Sequence, residues 1–192
     1  MKNLDENKMI YSIDELKKLN LSYYNINQLV ANNILKKLTK KNYENLCFNK
    51  DFDDFVYINA YIPRGVVCLM SAAAYYHLTN TRVQDVDIAI YRNDKVSTVP
   101  NWPNIHLYYF SNDRYNVGIK TIKLNEDSFL IYDIDKTVAD IIYYREKVGI
   151  EETKEIIKNY IRSNDKNLNN LMNYAKKLGC FEITKTYMEV LL

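Results

Sequence analysis

Two predicted helix N-termini lie close together near the beginning of the chain, and they constrain the fold of this segment. Ser12-Ile13-Asp14-Glu15 has the pattern of a capping box, in which the serine and glutamate side chains accept hydrogen bonds from each other's backbone amides. Ser22 offers a second N-cap, and Ile26, Leu29 and Val30 follow it as one apolar stripe at helical spacing. Two capped helices separated by a short turn predict a helix-turn-helix.

The segment after the second helix predicts a short hairpin. Asn33 suits a left-handed residue at the helix end, and residues 35–39 and 40–43 predict two strands around a tight turn. Between Leu16 and Tyr43 the chain carries six lysines and no carboxylate. Phosphate attraction depends on such local patches rather than on the formal net charge, which is only +2. The hairpin is therefore expected to be a lysine-tipped wing.

The predicted helix over residues 23–32 turns an uncharged face away from its apolar stripe, and such a face can meet base edges or phosphates. The candidate DNA-contacting residues are Ser22, Tyr23, Tyr24, Asn25, Asn27, Gln28, Lys36, Lys37, Lys40 and Lys41. The alternative is an ordinary solvated surface, because lysine pairs beside helices are common and A/T-rich codons enrich Lys, Asn and Tyr. The order of the elements and the exclusion of acids favour DNA binding.

A change of pattern in the middle of the chain predicts two domains. Residues 51–61 predict a linking helix that Pro63-Arg64-Gly65 ends, so the domains are expected at residues 1–62 and 63–192. Strands followed by helices predict an α+β fold, with an N-terminal winged helix-turn-helix and then a mixed, mainly antiparallel sheet domain with C-terminal helices. The expected strands of the second domain are residues 66–69, 86–91, 105–110, 119–124 and 129–132, and its helices are residues 71–78, 136–144, 151–161, 167–178 and 183–191.

The strongest sign of catalysis is a pair of acids at strand spacing. Asp85 and Asp87 would share one strand face, as in enzymes that hold two magnesium ions for nucleotidyl transfer, and Asp133 could supply a third carboxylate. Such enzymes also need a glycine-serine turn upstream, and the corresponding residues 69–71 contain no glycine. The alternative places Asp85 in the loop before the strand and Asp87 on its solvent face. His77 and His106, the two histidines, have no partners at ligand or catalytic spacing.

A polar cluster is expected on the first C-terminal helix. Asp140 and Tyr144 stand one turn apart, with Arg145 beside them, and a buried carboxylate needs such partners. The cluster is either a polar lock that fixes the helix against the sheet or a recognition surface for another macromolecule.

Other features bound the class of protein. Asp5 and Glu6 argue against a signal peptide, and no apolar run approaches the roughly 18 residues that span a bilayer. Cys47, Cys68 and Cys180 are odd in number and widely spaced, which favours reduced thiols over a disulfide framework or a zinc site. We therefore expect a cytoplasmic protein that contains neither metal nor cofactor.

Several blocks of the chain resemble the AbiEi family. The resemblance is carried by residues 66–79, 131–133, 136–140 and 144–149, and by Tyr187, Leu191 and Leu192 in the closing helix. Members of that family are antitoxins and transcriptional repressors of type IV toxin-antitoxin systems, which take part in abortive infection and phage defence. Glycine is usual in the family at the positions of Asn33 and Lys41, and Lys41 in particular puts the expected wing conformation in question.

The resemblance implies a fold and a function. It implies a winged helix-turn-helix that represses its own operon by binding inverted repeats in double-stranded promoter DNA. It also implies a C-terminal antitoxin domain that counters a nucleotidyltransferase-like toxin without forming a stable complex with it. Enzymatic activity would then belong to the toxin rather than to this chain.

Overall fold

The computed structural model describes residues 4–191 and has an α+β fold. Leu192 and residues 1–3, which the sequence analysis included, lie outside the described residues. The chain divides into two compact units. The first unit comprises the chain up to Gly65 with residues 95–103 and 121–129, and the second comprises residues 66–94, 104–120 and 130 onward.

The first unit contains a small antiparallel sheet and three helices. Its elements are β1 (Ile10–Ser12), α1 (Ile13–Lys18), α2 (Tyr23–Ala31), β2 (Leu35–Lys37), β3 (Asn42–Asn45) and α3 (Asp54–Tyr61). The strands lie in the order β1-β3-β2, and both pairs are antiparallel. Leu16 of α1, Ile26 and Leu29 of α2, Leu35 of β2 and Tyr43 of β3 form one buried cluster. The two helices and the sheet therefore share a core.

The predicted helix starts of the first unit are confirmed. Ser12 and Glu15 form a capping box at α1, and Ser22 and Asn25 form a second one at α2. Asn33 takes a left-handed backbone with φ 53°, as expected for a residue that follows a helix. The sequence analysis missed β1, which is only three residues long and pairs with β3.

The second unit is built on most of a five-stranded mixed sheet and a group of helices. Its strands are β4 (Val66–Val67), β5 (Val86–Tyr91), β6 (Ile105–Phe110), β7 (Ile119–Leu124) and β8 (Asp127–Tyr132). Its helices are α4 (Leu69–Tyr75), α5 (Asn112–Tyr115), α6 (Ile134–Tyr143), α7 (Arg145–Val148), α8 (Ile150–Arg162), α9 (Leu168–Leu178) and α10 (Phe181–Leu191). Residues 121–129 of β7, β8 and their turn cluster with the first unit.

The prediction of a mixed sheet is confirmed, but the sheet is not mainly antiparallel. The strands lie in the order β6-β5-β4-β8-β7, and β4 runs antiparallel to β5 but parallel to β8, while β5 and β6 are also parallel. A parallel pair needs a long crossover connection, and residues 92–104 provide one between β5 and β6. The alternation of residues within a strand carries no information about this choice.

Helix α6 lies at the centre of the second unit. Residues 134–142 are all buried, and the helix packs against α4, α8, α9 and α10. A helix buried on every side must find partners for any polar side chain it carries. None of the helices over residues 4–191 combines the length and the apolar composition needed to cross a bilayer.

Candidate nucleic-acid interface

Helix α2 buries one face and exposes the other. Ile26 and Leu29 are buried in the core of the first unit, whereas Tyr23 is 59% and Tyr24 71% exposed. All ten residues that the sequence analysis assigned to DNA contact are exposed: Ser22, Tyr23, Tyr24, Asn25, Asn27, Gln28, Lys36, Lys37, Lys40 and Lys41. None of the residues of α2 carries a charge.

The start of α2 uses two of these residues for its own capping. The Asn25 amide N–H donates to Ser22 Oγ at 3.2 Å, and the Ser22 amide N–H donates to Asn25 Oδ1 at 3.2 Å. The Ser22 hydroxyl also hydrogen-bonds to Asn25 Oδ1. The side chains of Asn27 and Gln28 make no hydrogen bond to any residue that the structure describes. Both of these amides are therefore available to an outside partner.

The β2–β3 turn forms without a left-handed residue. Thr39 Oγ1 accepts hydrogen bonds from the Lys41 amide at 3.2 Å and the Asn42 amide at 3.1 Å, and the amides of Leu38 and Thr39 donate to the Asn42 carbonyl. Lys41 is not among the described residues with a positive φ. The threonine side chain thus closes the turn, which explains how a lysine is accommodated there.

The lysines of the hairpin lie on different faces of the sheet. Lys36 stands opposite Glu44 in the register of β2 and β3, and its Nζ is 3.1 Å from Glu44 Oε2 and 5.9 Å from the centre of the Tyr57 ring. Lys37 shares the face of Leu35, since side chains alternate along a strand. Lys37, Lys40 and Lys41 are exposed, and none is ion-paired with a described residue. Lys36 is therefore occupied within the unit, unlike the other three.

A second group of cations lies at the end of α1. Lys17 and Lys18 occupy its last turn, and the Lys17 ammonium lies 4.6 Å from the centre of the Tyr23 ring. This interaction with the Tyr23 side chain raises the pKa of Lys17. Cations thus lie both at the end of α1 and in the β2–β3 turn. The surface formed by α2, the end of α1 and the β2–β3 turn is called the lysine-flanked surface below.

The second unit contains a buried ionic cluster around Asp140. Arg114 Nη1 donates to Asp140 Oδ1 at 2.6 Å, the Lys136 ammonium donates to Asp140 Oδ2, and Arg114 Nη2 also donates to the Leu178 carbonyl at 3.3 Å. Burial raises the pKa of Asp140 against the influence of both cations, and burial lowers the pKa of Lys136 against the attraction of Asp140. The cluster ties α6 to α5 and to the end of α9.

The partners of Asp140 differ from those expected. Arg145 donates to the Ile142 carbonyl at 3.3 Å and pairs with Glu146 at 3.6 Å, so Arg114 and Lys136 hold the carboxylate instead. The Tyr144 ring stacks on Phe110 with centroids 6.0 Å apart, and its backbone amide donates to the Asp140 carbonyl. The spacing of Lys136 and Asp140, one helical turn, could have predicted that pair. No local pattern connects Arg114 to Asp140.

Asp87 occupies a buried position beside a histidine. Asp87 Oδ2 accepts a hydrogen bond from the Met70 amide at 3.1 Å, and Asp87 Oδ1 lies 3.8 Å from His106 Nδ1. Burial raises the pKa of Asp87 to about 6. Asp85 lies in the bend before β5 and is exposed. Asp87 therefore does not lie on the solvent face, and His106, for which no partner was expected, faces it across β5 and β6.

Asp133 is the N-cap residue of α6. Asp133 Oδ1 accepts a hydrogen bond from the Lys136 amide and Asp133 Oδ2 accepts one from the Tyr174 hydroxyl, both at 2.7 Å. Among residues 4–191 there is no group of three His, Cys, Asp or Glu side chains placed to hold a metal ion.

No model of a known protein family matches the chain, and no curated protein matches it.

Proposed function

We propose that the first unit is a winged helix-turn-helix that binds double-stranded DNA. The order β1-α1-α2-β2-β3, with β3 between β1 and β2, supports this proposal because it makes α1 and α2 the helix pair and the β2–β3 hairpin the wing. In such folds the second helix of the pair lies in the major groove. Here that helix is α2, and its outer face is uncharged and exposed.

The observation that carries the proposal is the placement of charge on the lysine-flanked surface. Lys37, Lys40 and Lys41 lie in and beside the turn, and Lys17 and Lys18 lie at the end of α1, while residues 17–42 contain no acid. Flanking cations can hold the phosphates on both sides of a groove while the neutral helix meets base edges. Lys36 is excluded from this set because it is paired with Glu44 on the other face of the sheet.

The proposed cellular role follows from DNA binding together with the resemblance to the AbiEi family. In this proposal the protein is the antitoxin and transcriptional autorepressor of a type IV toxin-antitoxin operon. It binds inverted repeats in its promoter through the first unit, and it counters a nucleotidyltransferase-like toxin through the second without a stable complex. It acts in the cytoplasm, where both partners are present, and it catalyses no reaction itself.

DNA binding is tested with the full chain and the DNA directly upstream of its own reading frame. We expect binding that weakens steeply with salt, and in Lys37→Ala/Lys40→Ala/Lys41→Ala the log–log salt slope should fall by about 0.9 for each lost phosphate contact, or about 2.7 for three. Lys36→Ala is the control within the hairpin, and its slope should stay unchanged. A triple replacement of exposed lysines in the second unit, Lys120, Lys158 and Lys177, controls for total charge.

Two results would contradict the proposal. One is an unchanged salt slope in the hairpin triple variant, and the other is equal affinity for the upstream DNA and for a scrambled duplex. The antitoxin role is tested separately by co-expression with the neighbouring open reading frame. The hairpin triple variant should still protect cells from that product while it fails to repress a promoter fusion, because only the first unit is altered.

A further inference from the structure

The exposed face of α2 presents free carboxamides at its centre. Asn27 and Gln28 are exposed, and neither side chain is hydrogen-bonded to a residue of the described chain. Asn25 differs because its Oδ1 accepts hydrogen bonds from the Ser22 amide and hydroxyl. Only the amide nitrogen of Asn25 remains for an outside partner. Asn27 and Gln28 can therefore each offer a donor and an acceptor together.

A carboxamide matches one base in the major groove better than the others. Adenine presents the N7 acceptor next to the N6 amino donor, so an Asn or Gln side chain can bind both atoms at once. Guanine presents two acceptors, N7 and O6, which suit the paired donors of arginine or a lysine ammonium. Helix α2 has neither residue, and the first arginine of the chain is Arg64. The chemistry of α2 thus favours adenine over guanine.

The nearby lysines are placed for phosphates instead. Lys17 lies over the Tyr23 ring at the edge of the helix pair, and Lys40 and Lys41 lie in the β2–β3 turn. Ala31 is exposed one turn beyond Asn27 and Gln28, and its methyl group is of the kind that contacts the thymine methyl in the same groove. Asn27, Gln28 and Ala31 are therefore each compatible with an A·T pair.

We infer that α2 reads A·T base pairs through their adenines, with Gln28 and Asn27 as the specificity-determining residues. The inference rests on the proposed DNA-binding function and adds the class of sequence that the first unit selects. A selection from random duplexes with the full chain should return sites in which adenine is required at the positions that α2 contacts.

The decisive probe is a selected duplex in which one required adenine is replaced by 7-deazaadenine. This base keeps its Watson–Crick pairing and its N6 amino group but lacks the N7 acceptor. The wild-type chain should bind the altered duplex roughly five- to thirty-fold more weakly at one of these positions. Gln28→Ala or Asn27→Ala should bind the altered and unaltered duplexes equally, because the partner of N7 is already missing. Gln28→Arg should change the preferred base at its position from adenine to guanine.

Gln84→Ala, which alters an exposed glutamine of the second unit, is the matched control and should retain the full 7-deazaadenine effect. Selected sites that require guanine, or a 7-deazaadenine effect that persists in both Gln28→Ala and Asn27→Ala, would overturn this inference and leave DNA binding intact. A wild-type chain that retains no duplex at low salt would refute the proposed function together with this inference.

Discussion

Replacing Asp87 with asparagine should stabilise the protein at neutral pH. Asp87 is only 6% exposed, and burial raises its pKa from 3.8 to about 6. Keeping it ionised in the folded protein at pH 7 therefore costs about 3 kcal/mol, at about 1.4 kcal/mol for each pH unit between the two values. An asparagine retains an oxygen for the Met70 amide and carries no charge. After the cost of burying the new amide group, the expected gain is about 2 kcal/mol.

The gain in stability from Asp87→Asn must increase as the pH rises. Because its pKa is raised on folding, Asp87 holds its proton more tightly in the folded protein than in the unfolded chain between about pH 4 and pH 6. The stabilising contribution of Asp87 is complete below its pKa in the unfolded chain, and this contribution is lost as the pH rises through about 6. Asp87→Asn and the wild type should therefore have similar free energies of unfolding near pH 4 and should differ most above pH 7.

The assay is urea unfolding of the full chain and of Asp87→Asn, monitored by circular dichroism at several pH values from 4 to 8. Asp85→Asn is the control, since Asp85 is an exposed neighbour, and it should change the free energy of unfolding by less than about 0.5 kcal/mol. A variant that is less stable than the wild type at pH 7.5, or equally stabilised at pH 4 and 7.5, would refute the reasoning.

Two further predictions concern the ionic cluster and the hairpin. Asp140→Asn should lower the free energy of unfolding by about 3–5 kcal/mol, because it leaves Lys136 and Arg114 buried without a counter-charge, whereas Lys136→Met should change it by less than about 1 kcal/mol, because Arg114 still pairs with Asp140. Equal costs for these two variants in urea unfolding would contradict this account. Thr39→Ala should destabilise the hairpin by about 1 kcal/mol and weaken DNA binding while the net charge and the salt slope stay the same. Unaltered amide hydrogen exchange in the hairpin would count against the role of Thr39.

Features set by neighbouring residues were predicted well from the sequence. Ser12 and Ser22 cap helices as expected, because a cap needs only a side-chain oxygen within reach of the next turn. The bounds of β5, β6 and β7 match the apolar runs over residues 86–91, 105–110 and 119–124. Alternation along a strand is likewise a local property.

Features set by distant residues were not predicted. Arg114 reaches Asp140 only because α5 and α6 meet in the folded unit, and the position of His106 beside Asp87 depends on the parallel register of β5 and β6. The same limit explains why β1 was missed, since three residues form a strand there only by pairing with β3. The exposed face of α2 was nevertheless predicted, because the exposed side of a short amphipathic helix follows from its own residues.

The absence of acidic residues between positions 17 and 42 is a local feature of the first unit and does not follow from codon composition. Codons rich in A and T supply Lys and Asn, but they supply Asp and Glu as well, and the chain has 24 acids in 192 residues. At that frequency, one in eight, the 26 residues from 17 to 42 would contain about three acids by chance, and they contain none.

A comparison of the two capping boxes shows the same absence of an acidic residue at a single position of α2. Helix α1 places Glu15 at its third residue, where a carboxylate also gains from the positive end of the helix dipole. Helix α2 fills the equivalent position with Asn25, which accepts the same backbone hydrogen bond but carries no charge. The dipole interaction that a carboxylate would add there is worth roughly 0.3–1 kcal/mol. A negative charge at the start of α2 would repel phosphates, so the neutral cap is expected if this end of the helix faces DNA.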